Sequence, residues 1–219
     1  MTEAIPRASQ LVQFWDNSAT SREFRHPVPQ AVINGYFPPK AKILDIGCGQ
    51  GRLTKKLSDM GFAVSGTDTS TGMLAQAQKS APECDFCRCQ NNQLPWENDV
   101  FDVAIAITLF TSVPSDKEQR QIISELKRVL KHDGLLFISD MPLQWTHRYL
   151  ERYQRGAKRY GQYGVFDLAD GGVVRHHDLG YFMQLLDGFT PLVLETHPIV
   201  TMNGNSAQAI RYVGKLDKK

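Results

Sequence analysis

From residue 42 onward, short apolar runs alternate with amphipathic stretches along the chain. The apolar runs predict five strands, at Lys42–Ile46, Ala63–Thr67, Asp85–Cys89, Val103–Ile107 and Leu135–Ser139. Most of these runs are uniformly apolar, as expected of strands that are buried on both faces. The alternation therefore predicts a parallel sheet with helices packed on both of its faces.

Two of the intervening helices carry start and stop signals. Residues 52–60 place apolar side chains on one helical face, and this helix is expected to stop at Gly61. A later helix starts with Ser115 and Glu118 at the spacing of a capping box, and Gly134 is expected to close it.

The alternation of predicted strands and helices stops after Asp140. Residues 145–160 predict one helix without an immediate strand partner, and the glycine-rich segment 161–172 follows it. We interpret this region as an insertion or lid. The chain is then expected to end with a helix over 178–186 and with two antiparallel strands, Thr190–Glu195 and Gln208–Gly214.

Composition and charge narrow the class of protein. With 219 residues, of which 42% are hydrophobic, the chain can bury one sizeable core. A formal net charge of +2 gives no strong overall attraction to nucleic acid, acidic substrates or membrane lipid. The N-terminal residues lack the pattern of a signal peptide, and no apolar run is long enough for a membrane helix. We therefore expect a soluble cytoplasmic protein.

The four cysteines agree with a reducing compartment. They stand at Cys48, Cys84, Cys87 and Cys89, so three lie within six positions and they lack the spacing of disulfides that join distant segments in a secreted protein. A closed zinc site needs four ligands, so we expect buried thiols and no metal.

A glycine-rich turn follows the first predicted strand. Gly47, Gly49 and Gly51 stand at alternate positions, and such a turn lets a nucleotide-like ligand approach bare backbone. The dinucleotide fingerprint would place its third glycine at position 52, which is Arg52. Asp68 ends the second predicted strand, where a carboxylate can accept both ribose hydroxyls. Alternatively, the glycines form a plain tight turn and Asp68 caps a helix.

At this point the sequence resembles the class I S-adenosylmethionine-dependent methyltransferases, in the branch of small single-domain enzymes. The resemblance covers roughly residues 41–140. Its ordered blocks are LDIGCGQG at 44–51, Asp68, LPW at 94–96, FDV at 101–103 and LKRVLKHDG at 126–134.

The resemblance implies a fold and a division of the chain. The fold is α/β, Rossmann-like and doubly wound, with a mostly parallel seven-stranded sheet, an antiparallel last strand and a helical insertion after strand five. Residues 1–219 then form a single methyltransferase domain. Its expected parts are an N-terminal helical cap (1–40), a cofactor-binding core (41–140), an insertion or substrate lid (141–177) and a closing helix with strands (178–219).

The resemblance also implies the cofactor, S-adenosyl-L-methionine, with S-adenosyl-L-homocysteine as the product. The residues that it assigns to cofactor binding are Asp45, Gly47, Cys48, Gly49, Gly51, Asp68, Thr69, Met73, Gln90, Asn91, Ala106 and Ile107. The sequence departs from the family at Gln90, where an aspartate usually accepts from the adenine amino group. Either Gln90 or Asn91 is expected to replace it.

The acceptor half of the site is less defined. Many relatives have a histidine pair after strand four, but Thr111 and Ser112 stand there, so no catalytic residue is assigned. Methyl transfer depends mainly on alignment, and a base is needed only if the acceptor must lose a proton. Candidate acceptor-site residues are Trp15, Thr111, Tyr149, Tyr153, Arg175 and His177. Packing by Trp15 and a turn at His177 are the simpler interpretations.

The predicted insertion helix carries an arginine stripe and an adjacent aromatic stripe. The arginines are Arg148, Arg152, Arg155 and Arg159, and the aromatic residues are Trp145, Tyr149, Tyr153 and Tyr160. We expect the aromatic stripe to pack on the body of the protein and the arginines to face outward. A solvated basic face is the simplest interpretation, and an anionic acceptor or an RNA backbone is the alternative.

The predicted function is methyl transfer to a small-molecule oxygen, nitrogen or sulfur acceptor by a monomer or homodimer. Two alternatives keep the cofactor: an RNA methyltransferase that uses the arginine face, and a non-catalytic binding module. A nicotinamide dehydrogenase is disfavoured by Arg52.

Overall fold

The computed structural model describes residues 2–20, 28–90, 93–201 and 204–218. Its strands are β1 Lys42–Ile46, β2 Ala63–Asp68, β3 Asp85–Arg88, β4 Phe101–Ile107, β5 Leu130–Asp140, β6 Val165–Asp167, β7 Val173–Arg175, β8 Phe189–Val200 and β9 Ser206–Leu216. Seven of them form one sheet in the order β3-β2-β1-β4-β5-β9-β8. β9 runs antiparallel to both neighbours, while β1 to β5 are parallel. The predicted fold class is confirmed.

The central strands separate two layers of core. In β1, Leu44 packs into one apolar cluster and Ile43 packs into another on the opposite face. In β4, Ala104 and Val103 divide in the same way. Successive side chains of a strand point to opposite faces, so a strand covered on both sides must be apolar throughout. This explains the uniform runs in the sequence.

The helices occupy most of the expected positions. They are α1 Ala8–Ser18, α2 Gln30–Tyr36, α3 Arg52–Asp59, α4 Thr71–Ser80, α5 Leu109–Ser112, α6 Asp116–Val129, α7 His147–Tyr160 and α8 Leu179–Leu185. Ser115 caps α6, because its hydroxyl accepts from the Glu118 amide. The Glu118 carboxylate accepts from the backbone of Ala8, at 3.0 Å, and thereby holds the start of α1.

The expectation that Gly134 closes a helix is wrong. α6 ends at Val129, and Gly134 lies inside β5. The ladder between β4 and β5 shifts register here: Leu130 pairs with Phe101, and the next paired residue of β5 is Leu135. Residues 131–134 therefore bulge out of the ladder, and a bulge uses the same turn residues as a helix end.

The region after β5 contains more than a helix. α7 is followed by a hairpin of β6 and β7, which the sequence did not predict. Gly156 of α7 packs so closely on this hairpin that an added Cβ would lie 1.7 Å from the Val165 carbonyl oxygen. Trp145 precedes α7 and is 77% exposed, so its expected place in the packed aromatic stripe is wrong. We call α7, β6 and β7 the insertion.

The N-terminal segment packs on the insertion. The Glu3 amide donates to the Arg159 carbonyl at 2.7 Å, and the Glu3 carboxylate pairs with the Arg159 guanidinium at 3.0 Å. Leu11 of α1 shares a small apolar cluster with Tyr160 and Val173. We call this set of interactions the cap–insertion contact. Among the described helices, none has both the length and the apolar character needed to cross a membrane.

Candidate functional site

The glycine turn joins β1 to α3. Gly47, Gly49 and Gly51 all have left-handed backbone conformations, with φ of 72°, 55° and 75°. A Cβ on Gly51 would also lie 2.8 Å from the Cβ of Ala77. The alternate glycines therefore reflect alternate left-handed positions, which leave a path of bare backbone along the turn.

Two buried carboxylates flank this turn. Asp68 accepts from the backbone amides of Gly49, at 3.0 Å, and Ser70, at 2.9 Å, and burial raises its pKa. Asp45 accepts from the Thr54 hydroxyl at 2.6 Å, and burial raises its pKa to about 6. Both carboxylates would gain from hydroxyl donors or from a nearby positive charge.

The turn and the carboxylates line one end of a cavity of about 250 Å³. The opposite end is lined by the insertion, through Arg148, Tyr149, Arg152, Phe166, Val174 and His176. We call these two regions the loop end and the insertion end. Residues from β1, β2, β4 and the insertion thus meet around one cavity, because the carboxyl ends of parallel strands share one edge of the sheet.

Most residues assigned to the cofactor line this cavity. They are Asp45, Gly47, Cys48, Gly49, Asp68, Thr69, Met73 and Ile107. Gly51, Gln90 and Ala106 do not line it, and Asn91 lies outside the described residues. Ala106 is fully buried in the core, and Gln90 is exposed and bridges to Gln93.

The third strand ends one residue earlier than expected. Cys89 follows β3, its amide donates to the Asp68 carbonyl at 2.9 Å, and its side chain lines the cavity. The chain therefore brings Cys89 rather than Gln90 to the site. Among the described residues, no group of three or more His, Cys, Asp or Glu side chains is placed to hold a metal ion.

The candidate acceptor residues divide into two groups. Trp15, Thr111 and Tyr149 line the cavity. Tyr153, Arg175 and His177 do not, because each is engaged in the buried structure behind its wall.

The second group forms a polar network. The Tyr153 hydroxyl is hydrogen-bonded to Nδ1 of His176 at 2.7 Å and accepts from the Gln144 amide at 3.0 Å. Arg175 pairs with Asp116, and its guanidinium carbon lies 4.2 Å from the centroid of the Tyr181 ring. His177 lies 2.9 Å from the Gln119 side-chain nitrogen, and burial lowers its pKa to about 3. The structure therefore gives these three residues supporting positions instead of places on the cavity wall.

The insertion end contains residues that the sequence did not single out. Phe166 and Val174 lie opposite each other on β6 and β7 and face the cavity with His176. The signal for this hairpin was two short apolar runs around Asp170-Gly171-Gly172. Strands of three residues are too short for their alternation to stand out.

The arginine stripe of α7 does not face outward as a unit. Arg148 and Arg152 line the cavity, whereas Arg155 does not and Arg159 pairs with Glu3 and Asp167. Arg148 is exposed as well, so the expected outward orientation is wrong for the half-buried Arg152. Arg148 and Arg152 differ from Arg155 and Arg159 because only the N-terminal half of α7 lies along the cavity.

Thr111 connects the cavity to a buried acid. Its hydroxyl donates to Asp140 across 2.5 Å, and Asp140 also accepts from the amides of Phe110 and Met141. Burial raises the pKa of Asp140 to about 6. A hydroxyl backed by such a carboxylate can take a proton from a neighbouring group and pass its own proton to the acid.

Comparisons with known proteins agree with this geometry. Residues 43–134, which include the glycine turn, Asp68 and β4, match the family model described as a methyltransferase domain. This segment is therefore similar to a methyltransferase domain. A structure of an S-adenosylmethionine-dependent methyltransferase from Methanosarcina mazei has a similar fold to this chain, with a TM-score of 0.83 and 24% identity, over 89% of this chain and 100% of that chain.

Two further relatives of the methyltransferase domain are informative. A ubiquinone/menaquinone biosynthesis C-methyltransferase from Campylobacter jejuni is 27% identical over 149 residues, which are 65% of this chain and 59% of the relative. The chain thus spans less than two thirds of that protein. The Burkholderia thailandensis 1,6-didemethyltoxoflavin-N1-methyltransferase, solved with 1,6-didemethyltoxoflavin and S-adenosylhomocysteine bound, has a TM-score of 0.64 and 18% identity, over 86% of this chain and 76% of that chain.

Proposed function

We propose that the protein is an S-adenosylmethionine-dependent methyltransferase that acts on a small-molecule acceptor. The observation that carries the proposal is the single cavity that joins the glycine turn and Asp68 to the aromatic wall of the insertion. Cofactor and acceptor must meet for methyl transfer, and this cavity offers each of them a distinct end.

The loop end fits the cofactor. The bare backbone of Gly47 and Gly49 would hold its methionine part, and Asp68 would accept from the ribose hydroxyls. Met73 and Ile107 would give apolar contacts to the adenine. When bound, the cofactor supplies an activated methyl group on a positively charged sulfur.

The protein positions the acceptor, limits the access of water to the reacting atoms and offers a route for a proton. Methyl transfer is an in-line displacement, so holding the acceptor against the loop end supplies much of the rate. An acceptor that must lose a proton is served by Thr111, whose hydroxyl is backed by Asp140. The acceptor atom in this proposal is oxygen, nitrogen or sulfur. Carbon acceptors belong in any screen, because the similar Campylobacter protein is named a C-methyltransferase.

RNA is a weaker candidate for the acceptor. An RNA backbone would need a continuous basic face, and the stripe on α7 is divided between the cavity and the surface. The cytoplasmic location and the choice between monomer and homodimer remain predictions from the sequence.

Two measurements test this function. Titration calorimetry should detect S-adenosylhomocysteine binding, and Asp68→Asn should weaken it about 10-fold or more, because a charged acceptor is replaced by a neutral one. Asp59→Asn, at an exposed acid that pairs with Lys55, should leave binding unchanged. Absence of binding by the intact protein would contradict the proposal.

The second measurement follows transfer. The protein is incubated with methyl-labelled cofactor and a panel of small phenols, amines, thiols and quinols, and labelled products are identified by mass. Labelling of at least one member is expected. Cofactor binding without labelling of any member would favour the non-catalytic binding module instead.

A further inference from the structure

The insertion end of the cavity combines two cationic side chains with an aromatic wall. Arg148 and Arg152 stand one helical turn apart on α7, and both line the cavity. The guanidinium carbon of Arg152 lies 5.6 Å from the centroid of Phe166 and 5.9 Å from that of Tyr149. The rings hold one face of this guanidinium and leave its edge for another partner.

Neither arginine has a carboxylate partner among the described residues. Arg148 donates to the side-chain oxygen of Asn205, which is neutral. The carboxylates that line the cavity, Asp45 and Asp68, lie at the loop end. By contrast, Arg159 on the same helix pairs with Glu3 and Asp167.

The surroundings make the charge of Arg152 costly. Burial lowers the pKa of Arg152, and the neighbouring Arg148 lowers it further, yet a guanidinium stays protonated. Arg148 is exposed and lies in the first turn of α7, where the helix dipole favours negative charge. An anion placed between the two arginines would relieve these effects.

The wall beside them is aromatic, and its rings meet at large angles, 88° between Phe166 and His176 and 73° between Tyr149 and Phe166. The ring centroids of Phe166 and His176 lie 5.0 Å apart, and those of Tyr149 and His176 lie 5.2 Å apart. His176 is neutral near pH 7, because burial lowers its pKa to about 3. It therefore adds aromatic surface and no charge.

We infer that the acceptor is an aromatic, anionic small molecule, whose carboxylate or comparable group is held by Arg148 and Arg152 while its ring packs against the faces and edges of Tyr149, Phe166 and His176. Guanidinium groups bind carboxylates through two parallel hydrogen bonds, which also fixes the orientation of the ligand. The anion thus sets which edge of the ring points to the loop end. This inference rests on the proposed function.

A matched pair of probes tests the charge requirement. The protein is saturated with S-adenosylhomocysteine and titrated with 2-naphthoate or with 2-naphthamide, which has a similar shape but no charge. We expect naphthoate to bind at least about 10-fold more tightly, as charge-assisted hydrogen bonds in a partly buried site allow. Arg152→Gln combined with Arg148→Gln should remove this preference.

Arg155→Gln is the control, because this arginine is exposed and does not line the cavity. It should keep the preference for naphthoate, and all variants should bind S-adenosylhomocysteine as the wild type does. Undetectable naphthoate binding, equal binding of the two probes, or equal effects of the cavity and control variants would overturn the inference. If the wild-type protein itself does not bind S-adenosylhomocysteine, the proposed function is overturned instead.

Discussion

The Asp16 carboxylate accepts a hydrogen bond from the Ser70 hydroxyl, with 2.5 Å between Oδ1 and Oγ. The same oxygen accepts from the Gly72 amide at 2.9 Å. Ser70 is also the N-cap of α4, since its hydroxyl accepts from the Met73 amide. Asp16 thus fastens α1 to the turn that follows Asp68, and α1 carries Trp15 into the cavity wall.

Asp16→Ala should loosen α1 and weaken cofactor binding. We expect S-adenosylhomocysteine affinity to fall about 3- to 10-fold, because a hydrogen bond to a charged group contributes roughly 1.5 kcal/mol. Calorimetry measures the affinity, and hydrogen exchange measures the protection of α1. Asn17→Ala is the control, since Asn17 is exposed and accepts a hydrogen bond from the Gln13 side chain on the same helix. Unchanged exchange in α1 would refute the fastening role.

Gly156 should tolerate no larger residue. Gly156→Ala places a Cβ 1.7 Å from the Val165 carbonyl oxygen, so α7 and β6 must separate. We expect the free energy of unfolding to fall by more than about 3 kcal/mol. Gly35→Ala is the matched change in another helix, where nothing lies within 4 Å of the new Cβ. It should stabilise by about 0.5–1 kcal/mol, because alanine favours the helix.

Urea denaturation of the two glycine variants provides the comparison. Similar free energies of unfolding for Gly156→Ala and Gly35→Ala would show that α7 does not pack on β6 as closely as described.

Removing the hydroxyl of Tyr153 or of Tyr149 should have different effects, although the two residues are neighbours on one face of α7. Tyr153→Phe removes the partner of both the Gln144 amide and His176, so we expect a loss of about 1–3 kcal/mol in stability. Tyr149→Phe should leave stability near that of the wild type and change the acceptor KM, because Tyr149 lines the cavity. A change of KM in Tyr153→Phe at unchanged stability would reverse these assignments.

His176 should make stability depend on pH. Burial lowers its folded pKa to about 3, so the unfolded chain binds a proton that the folded chain excludes. The contribution of neutral His176 to the free energy of unfolding is therefore fully present above the unfolded pKa and is lost as the pH falls below it. Asp140 acts in the opposite sense, since burial raises its folded pKa to about 6 and its contribution is lost as pH rises.

In His176→Gln the histidine contribution disappears. The variant should therefore be destabilised less near pH 5 than near pH 7, by a total of about 2 kcal/mol, because the unfolded histidine takes up its proton around pH 6.5. Urea denaturation at several pH values measures it. His132→Gln, at an exposed histidine, serves as the control and should show no such difference. A destabilisation of His176→Gln that is independent of pH would contradict the buried neutral state.

The parts of the site that follow from local rules could be read from the sequence. Gly47, Gly49 and Gly51 were readable because left-handed backbone selects glycine, and Asp68 because it ends an apolar strand. Gly134 was misleading, since a bulge within β5 uses the same residue types as a helix end.

The acceptor half depends on tertiary packing. The sequence shows four arginines on one helix, but only the position of the hairpin decides that Arg152 faces a cavity and Arg159 a carboxylate. Likewise, His176 and His177 are adjacent in sequence, yet His176 lines the cavity and His177 lies behind it. The sequence around each of these residues does not show which of them faces the cavity.

The cap–insertion contact has a mechanical consequence. Trp15 of the cap lines the cavity together with the loop end, and the insertion forms the opposite end. Glu3 and Arg159 join these two segments through an ion pair and a backbone hydrogen bond. Any displacement of the insertion is therefore expected to be transmitted to the cap, and so to the part of the wall that contains Trp15.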